Sequence, residues 1–381
     1  MTNEVLKIGF DAKRLFNNNT GLGNYSRTLV RNLQHYFPQH EYHLFDARLP
    51  KNSNTEYFFD PEKFILHHPS KTAPLWRTWT QSGKINGLGL DIYHGLSHEI
   101  PFGISSKTLK MVSFHDLIYE KFPKQFGLWD RNLYKLKYRS AVKRADHVVA
   151  ISNQTKLDLM EYYDIAAEKI SVVYQSCHPI FAVEDILPNS LGKLNGIDDY
   201  FLYVGSIIER KGLLAIVLAY AKLDMVQRRP FVVVGGGEKI YNQKVLDMIK
   251  YYGLERDFIF LGNIDNEQLV QVYDGSYALV YPSIYEGFGI PVIESLFRGK
   301  PVITSDLSSL PEAAGGGALL VNPYDPDDIA AAMVTIQNES TYFSLADEGF
   351  AYVNEQFSAE ATARNIMNLY NQLLTSREVM G

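Results

Sequence analysis

Two acids, Glu286 and Glu294, flank Gly287, Gly289 and Pro291 in the stretch YPSIYEGFGIPVIE, which begins at Tyr281. Glycines let the backbone turn sharply and approach a ligand, and proline fits the first turn of a helix. The spacing predicts a loop through Glu286 and Gly287 that enters a helix over about 290–298. Glu294 then lies one turn into that helix, and Glu286 lies in the loop before it. A helix N-terminus presents N–H groups that suit an anion, and carboxylates accept hydrogen bonds from hydroxyls. Phosphate and hydroxyl groups on one ligand would use both features. Acids near a helix N-terminus also act as caps, but capping does not require the glycines.

Three further stretches bear on the same chemistry. In YVGSIIERKG (203–212), Arg210 and Lys211 precede a helix start near Gly212. Cations normally favour the opposite helix end, so two of them here suit a bound anion. A solvated charge pair is the bland alternative. In TGLGNYSRTLVRNL (20–33), Gly21 and Gly23 open an apolar-periodic helix and could bring backbone close to a ligand. The dinucleotide pattern is incomplete, because Ser26 stands at its third glycine and no acid for a ribose follows ~20 residues on. In SFHDLIY (113–119), His115 and Asp116 end an apolar run.

Two other patterns carry weaker signals. HGLSH (94–98) has the histidine spacing of a metal pair, yet Gly95 and Pro101 predict a loop and no third ligand is apparent, so no metal site is expected. RNLYKLKYRSAVKRAD (131–146) is helical in period and carries six cations against one acid. Such a helix suits anionic lipid or a plain solvated face.

The elements that must position these residues alternate between short β-branched or aromatic runs and longer helical patterns. Strands are predicted at 6–10, 42–46, 91–94, 110–114, 147–151 and 171–174. In the second half they fall at 200–204, 231–235, 258–262, 278–281, 301–304 and 318–321. That alternation predicts parallel sheets with helices on both faces, and ligands at the C-terminal ends of the strands. The pattern breaks at 177–199, which reads as a linker. The expected division is a first domain at 1–182, a second at 183–357, and a C-terminal helical segment at 358–381 with Ser358 as a plausible N-cap.

The chain as a whole narrows the function classes. It has 381 residues, long for one core, and a net charge of −6 that offers nucleic acid no basic field. Cys177 is the only cysteine, so no internal disulfide forms, which fits a reducing compartment. The stretch MTNEVLKIGFDAKR lacks the apolar core of a signal peptide, and no run approaches the ~18 apolar residues of a membrane span. A cytoplasmic protein, with peripheral contact to the inner membrane face through 131–146, is the expectation.

GLGNYSRTL, FHDL, GSIIERKG, and PSIYEGFGIPVIE followed by GKPVITSD occur in this order, and LPEAAGGGALLVNPYDPDDIAAAM follows them. This series resembles the retaining glycosyltransferases of family 4, over nearly the whole chain. The resemblance implies the GT-B architecture of two facing Rossmann-like domains, with a C-terminal helix that crosses back to the first. It implies that Glu294 holds the ribose of a nucleotide-sugar donor, and that Glu286 with Gly287, Phe288 and Gly289 holds the transferred sugar. Arg210 and Lys211 would neutralise the diphosphate. Gly21 and Gly23 would approach the diphosphate or the acceptor, and His115 would sit beside the sugar. Members often carry Arg where this chain has Ser206, so one diphosphate contact is missing or moved. No Asp-x-Asp metal motif lies near a strand end, consistent with transfer that needs no metal or cofactor. GLGNYSRTL with FHDL is similar to bacterial mannosyltransferases of surface-polysaccharide assembly. That implies GDP-mannose as donor and a glycan or lipid-linked acceptor, with UDP-glucose and UDP-N-acetylhexosamines left open. A nucleotide-sugar 2-epimerase of similar fold and a non-catalytic nucleotide-sugar-binding subunit are the competing readings.

Overall fold

The structure, a computed structural model, describes residues 5–69, 76–183, 194 and 196–380. The chain divides into two units, Met1–Cys177 with Ala359–Gly381, and His178–Ser358. The first unit holds strands β1 (Lys7–Asp11), β2 (Glu41–Phe45), β3 (Ile65–His67), β4 (Ile92–Gly95), β5 (Leu109–Phe114), β6 (His147–Ala150) and β7 (Ile170–Val172). Its helices are α1 (Lys13–Asn17), α2 (Gly21–Tyr36), α3 (Gln81–Leu88), α4 (Ile118–Lys121), α5 (Leu128–Arg144) and α6 (Asn153–Tyr163). The second unit holds β8 (Tyr200–Val204), β9 (Phe231–Val234), β10 (Phe258–Gly262), β11 (Ser276–Tyr281), β12 (Val302–Ser305) and β13 (Ala318–Val321). Its helices are α7 (Leu213–Tyr220), α8 (Lys239–Tyr251), α9 (Asn266–Gly275), α10 (Ile290–Phe297), α11 (Leu310–Ala314), α12 (Pro326–Thr335) and α13 (Glu339–Phe357). Helix α14 (Ala359–Met380) returns to the first unit and packs on α2.

Both sheets are parallel and doubly wound. Their orders are β3-β2-β1-β4-β5-β6-β7 and β10-β9-β8-β11-β12-β13. In each, the chain runs outward from the first strand and then crosses to that strand's other side. The direction reverses between β1 and β4 in one unit and between β8 and β11 in the other. Loops diverge at such a switch point and leave a crevice for ligands. The inner strands are buried on both faces: Val232, Val233, Leu279 and Val280 are fully inaccessible, as are Ile8, Phe10, Val112 and Val148. This is why they read as continuous apolar runs rather than as alternating ones.

The two-unit, Rossmann-like fold class expected from the sequence is the one observed, and all twelve expected strands are present. The strand that the sequence did not announce is β3, a three-residue edge strand inside FILHH. Its exposed Ile65 and short length give no clear period. The boundary between units also differs from the expected 182/183 and lies at Cys177/His178. Phe181 packs edge-on against Tyr273, with centroids 5.8 Å apart, and Arg298 donates to the Val183 carbonyl, which ties this segment to the second unit. Residues 184–193 and 195 of the expected linker lie outside the described residues. Ser358 sits between α13 and α14 in an extended conformation that ends the first helix.

Helix α5 covers most of the cationic stretch, and its charges are largely paired. Arg131 and Lys135 reach Glu120 at 3.9 and 3.6 Å, and Lys137 reaches Glu99 at 3.5 Å. Arg144 donates to the Ile100 carbonyl and lies over the Phe102 ring. No helix among the described residues is long and apolar enough to cross a membrane.

Candidate active site

The second unit's switch point brings together two loops, 205–212 after β8 and 282–289 after β11. Residues 209–211 form one 3₁₀ turn, which ends at Gly212 with φ +75°. A Cβ at Gly212 would come within 2.5 Å of the Pro282 carbonyl oxygen, so glycine lets the two loops touch. That contact carries Arg210 and Lys211 to Glu286.

Glu286 Oε1 is the centre of the cluster. It accepts from Tyr281 Oη and Ser283 Oγ, each at 2.8 Å. Arg210 Nη1 lies 3.0 Å from the same oxygen and Lys211 Nζ 3.5 Å. Lys211 also donates to Tyr281 Oη at 2.6 Å, and Arg210 donates to the Tyr285 carbonyl. Burial alone would raise the Glu286 carboxyl, but Lys211 and Arg210, helped by the two hydroxyls, hold it below the usual range. The loop itself is braced from β12's far end. Ser308 Oγ donates to the Glu286 carbonyl at 2.9 Å, and the single Ser309 hydroxyl proton is shared between the Phe288 carbonyl at 2.7 Å and the Glu286 carbonyl at 2.9 Å.

Glu294 lies in α10 with a different environment. Tyr273 Oη donates to its Oε2 at 2.9 Å. Burial pushes its carboxyl up to about 8, against smaller lowering by Tyr273 and by the Lys211 charge. Lys211 is therefore the cation within electrostatic reach of both glutamates. Helix α10 begins with no side-chain cap and no acid in its first turn, with Pro291 at its start. Gly289 has φ +124°, and a Cβ there would press on Leu310 at 3.0 Å. Phe288 turns its ring into the core against Phe357, which leaves its backbone at the loop. Ser206 is exposed, and its carbonyl accepts from Tyr203 Oη at 2.9 Å.

In the first unit the expected residues gather at the C-terminal ends of β1 and β5. His115 is buried, with its Nε2 2.9 Å from the Leu96 carbonyl, and its backbone N–H donates to His98 Nε2 at 2.9 Å. Burial pushes the imidazole down to about 4, with the Arg14 charge in support and the Leu96 carbonyl opposing. It is neutral at pH 7, with its proton on Nε2 and Nδ1 as the acceptor. The two glycines of α2 differ. A Cβ at Gly23 would collide with the Asn18 carbonyl oxygen at 1.8 Å, and the Gly23 N–H already donates to Asn18 Oδ1 at 3.0 Å. Gly23 thus closes the β1–α2 loop, whereas Gly21 is exposed with open space around it. His94 and His98 do not form a metal pair: His94 is buried in β4 and His98 packs on Tyr138. Among the described residues no cluster of three or more His, Cys, Asp or Glu could hold a metal ion.

Sequence reasoning missed Tyr281, Ser283, Tyr273, Ser308 and Ser309. Ser283 stands three residues before Glu286, and Ser308–Ser309 follow a strand end, positions at which polar residues merit notice. Nothing in the spacing indicates that Tyr273, in α9, reaches Glu294.

Residues 19–177 match the family model described as Glycosyltransferase Family 4, and residues 192–347 the one described as Glycosyl transferases group 1. O-antigen chain mannosyltransferase B of Escherichia coli is 26% identical over 322 residues, 82% of this chain and 80% of that protein. O-antigen chain mannosyltransferase RfbU of Salmonella typhimurium is 30% identical over 246 residues, 63% of each. The structure of Anabaena Alr3699/HepE in complex with UDP and glucose superposes with a TM-score of 0.72 at 15% identity, covering 96% of this chain and 100% of that one.

Proposed function

Because this chain is a glycosyltransferase of family 4, with one matched family domain in each unit, we propose that it transfers mannose from GDP-mannose to a glycan or lipid-linked acceptor. Transfer proceeds with retention at the anomeric carbon and without a metal ion. The observation that supports this most is the convergence of Arg210 and Lys211 on Glu286 beside the uncapped start of α10. The mannosyltransferase relatives support the choice of sugar.

In the free site the two cations share Glu286, whose single charge offsets one of theirs. An entering diphosphate competes for them with more negative charge than one carboxylate. Arg210, Lys211 and the α10 N-terminus then stabilise the charge that grows on the leaving diphosphate as the sugar bond breaks. Glu286, released from its cations, accepts hydroxyls of the transferred sugar together with the backbone of 287–289. Glu294 accepts the ribose hydroxyls. Ser206 takes a diphosphate contact through its backbone or hydroxyl. Neutral His115 meets the sugar through Nδ1, and Gly21, with space around it, is the glycine that approaches the ligand.

The experiment is a donor panel of GDP-mannose, UDP-glucose and UDP-N-acetylglucosamine, each with glycan acceptors and EDTA present. Mannosyl transfer that survives EDTA is expected. Activity lost in EDTA and restored by Mn²⁺ or Mg²⁺ would refute the metal-free mechanism. Turnover with UDP-sugars alone would refute the donor, and conversion of the donor without acceptor would mark a 2-epimerase.

Peripheral contact with anionic lipid through α5 belongs to the same proposal. Trp129, Leu133 and Leu136 are 90%, 48% and 69% exposed at spacings of four and three residues, so they share one face of the helix. Arg139 and Lys143 lie on the same helix as the paired cations. Vesicles with anionic lipid should retain the protein at low salt and release it at high salt. Unchanged binding after Lys135→Glu, Arg139→Glu and Lys143→Glu together would reduce the helix to a solvated face.

A further inference from the structure

A buried chain of hydrogen bonds joins four elements of the first unit. Tyr370 Oη of α14 lies 2.6 Å from His94 Nδ1 on β4. His94 Nε2 lies 2.8 Å from Ser113 Oγ on β5, and Ser113 Oγ lies 2.8 Å from Tyr25 Oη on α2. The Tyr25 ring then meets the His115 ring edge-on, at 90° with centroids 4.4 Å apart. Tyr370, His94 and Ser113 are fully inaccessible, and Tyr25 and His115 nearly so.

This chain is an uncommon thing to bury. Four polar side chains in an apolar core are stable only while each finds its partner. Burial, with the His115 ring in support, pushes the His94 imidazole down to about 3, so it is neutral. One ring nitrogen donates and the other accepts, and in either polarity of the chain both are satisfied. A plain apolar junction would hold α14 on α2 without this constraint. What hydrogen bonds add is direction. Ser113 and His115 are two apart on β5 and its extension, so their side chains leave on the same face. Fixing Tyr25 Oη at Ser113 fixes where the Tyr25 ring stands, and that ring is one wall of the His115 imidazole. Tyr25 also lies one turn after Gly21, so the same anchor sets the start of α2.

We propose that Tyr370, His94, Ser113 and Tyr25 are positioning residues for the transfer reaction, which rests on His115 acting at the sugar. The last helix of the chain thereby holds the imidazole and the α2 N-terminus in one relative placement. The placement depends on a hydroxyl supplied from 276 residues away in sequence.

Tyr370→Phe removes one oxygen and keeps the ring. Assayed well below its unfolding midpoint, it should lose about tenfold in kcat, because small misplacements near the reacting centre are costly. Donor KM should stay within about twofold. Tyr25→Phe should behave alike, and the double variant should lose no more than either single, since each cut releases the same ring. Single variants with wild-type kcat, or losses that multiply, would overturn the proposal. A second measurement needs no turnover. In ¹³C-labelled protein the His115 imidazole signal, identified by its loss in His115→Gln, should shift or broaden in Tyr370→Phe. An unchanged His115 signal would equally overturn it. A wild-type protein inert with every donor, in which the His115 signal still responds, would instead count against the transferase role of His115 and leave the coupling standing.

Discussion

Glu286 and Glu294 are eight positions apart, the first half-buried in the loop before α10 and the second buried within it, yet their carboxyls move in opposite directions. Glu286 is held below the usual range by Lys211 and Arg210. Glu294 is pushed up to about 8, with a tyrosine for its hydrogen bond and only the distant help of Lys211. Burial raises both carboxyls, so it does not make the difference. Direct cations do. Two full charges stand 3.0 and 3.5 Å from Glu286 and outweigh its burial. The lesson concerns how one site divides its work. Glu286 is a hub held below the usual range by cations that, in the proposed mechanism, a diphosphate draws away. Glu294 is a carboxyl whose ionisation a ligand can change.

The largest expected effect comes from removing the shared cation. Lys211→Ala should lower kcat by roughly 10²–10³, the usual loss for one electrostatic donor to a transition state, while the nucleoside diphosphate still binds weakly. Full kcat in this variant would break the assignment of Lys211 to the leaving group. Next is Glu286→Gln, which keeps the shape and removes the charge. Turnover should fall by about 10–10², and calorimetric affinity for the free nucleoside diphosphate should hold or rise, since Arg210 and Lys211 lose their internal partner. Abolished nucleotide binding would mean that Glu286 does not belong to the sugar subsite. Glu294→Gln should act on the nucleotide instead, weakening nucleoside diphosphate binding by about tenfold, with a smaller effect on kcat.

The smallest effect is on stability, and there the two glutamates should differ in sign. A carboxyl raised on folding binds its proton more tightly in the native state. Its contribution is complete at pH values below 4.5 and is lost as pH rises towards about 8. Glu294 therefore makes the protein less stable as pH rises across that window. Glu286, lowered on folding, contributes above the ordinary carboxylate range and loses that contribution in acid. Denaturant unfolding from about pH 2 to about pH 9 should show a flatter upper limb in Glu294→Gln and a flatter acid limb in Glu286→Gln. Identical limbs in all three proteins would remove the contrast between the two sites.

Much of this was legible in the sequence because parallel strands buried on both faces are short apolar runs, and Gly and Pro punctuate what lies between them. The run ALVY, the glycines at 287 and 289, and Pro291 are enough to place Glu286 in a loop and Glu294 one turn into a helix. The positions of His115 at a strand end and of Arg210 and Lys211 before a helix follow from the same local rules. The edge strand Ile65–His67 was hidden because three residues carry no period.

Which side chains meet depends on how the elements pack. Gly23 looked like Gly21, but the first is spent on the Asn18 carbonyl and the second is open. The six cations of α5 looked alike, but several are paired with Glu120 and Glu99 from other elements. Tyr273 and Tyr281 lie in different elements, and each finds its own glutamate only when α9, β11 and α10 pack together. Tyr370 is one of 25 tyrosines until α14 lies on α2. The reason is physical. Backbone conformation answers to neighbours within a few residues, so the order of residues determines it. Charge state and hydrogen-bond partners answer to groups a few ångströms away in space, and those come from distant parts of the chain.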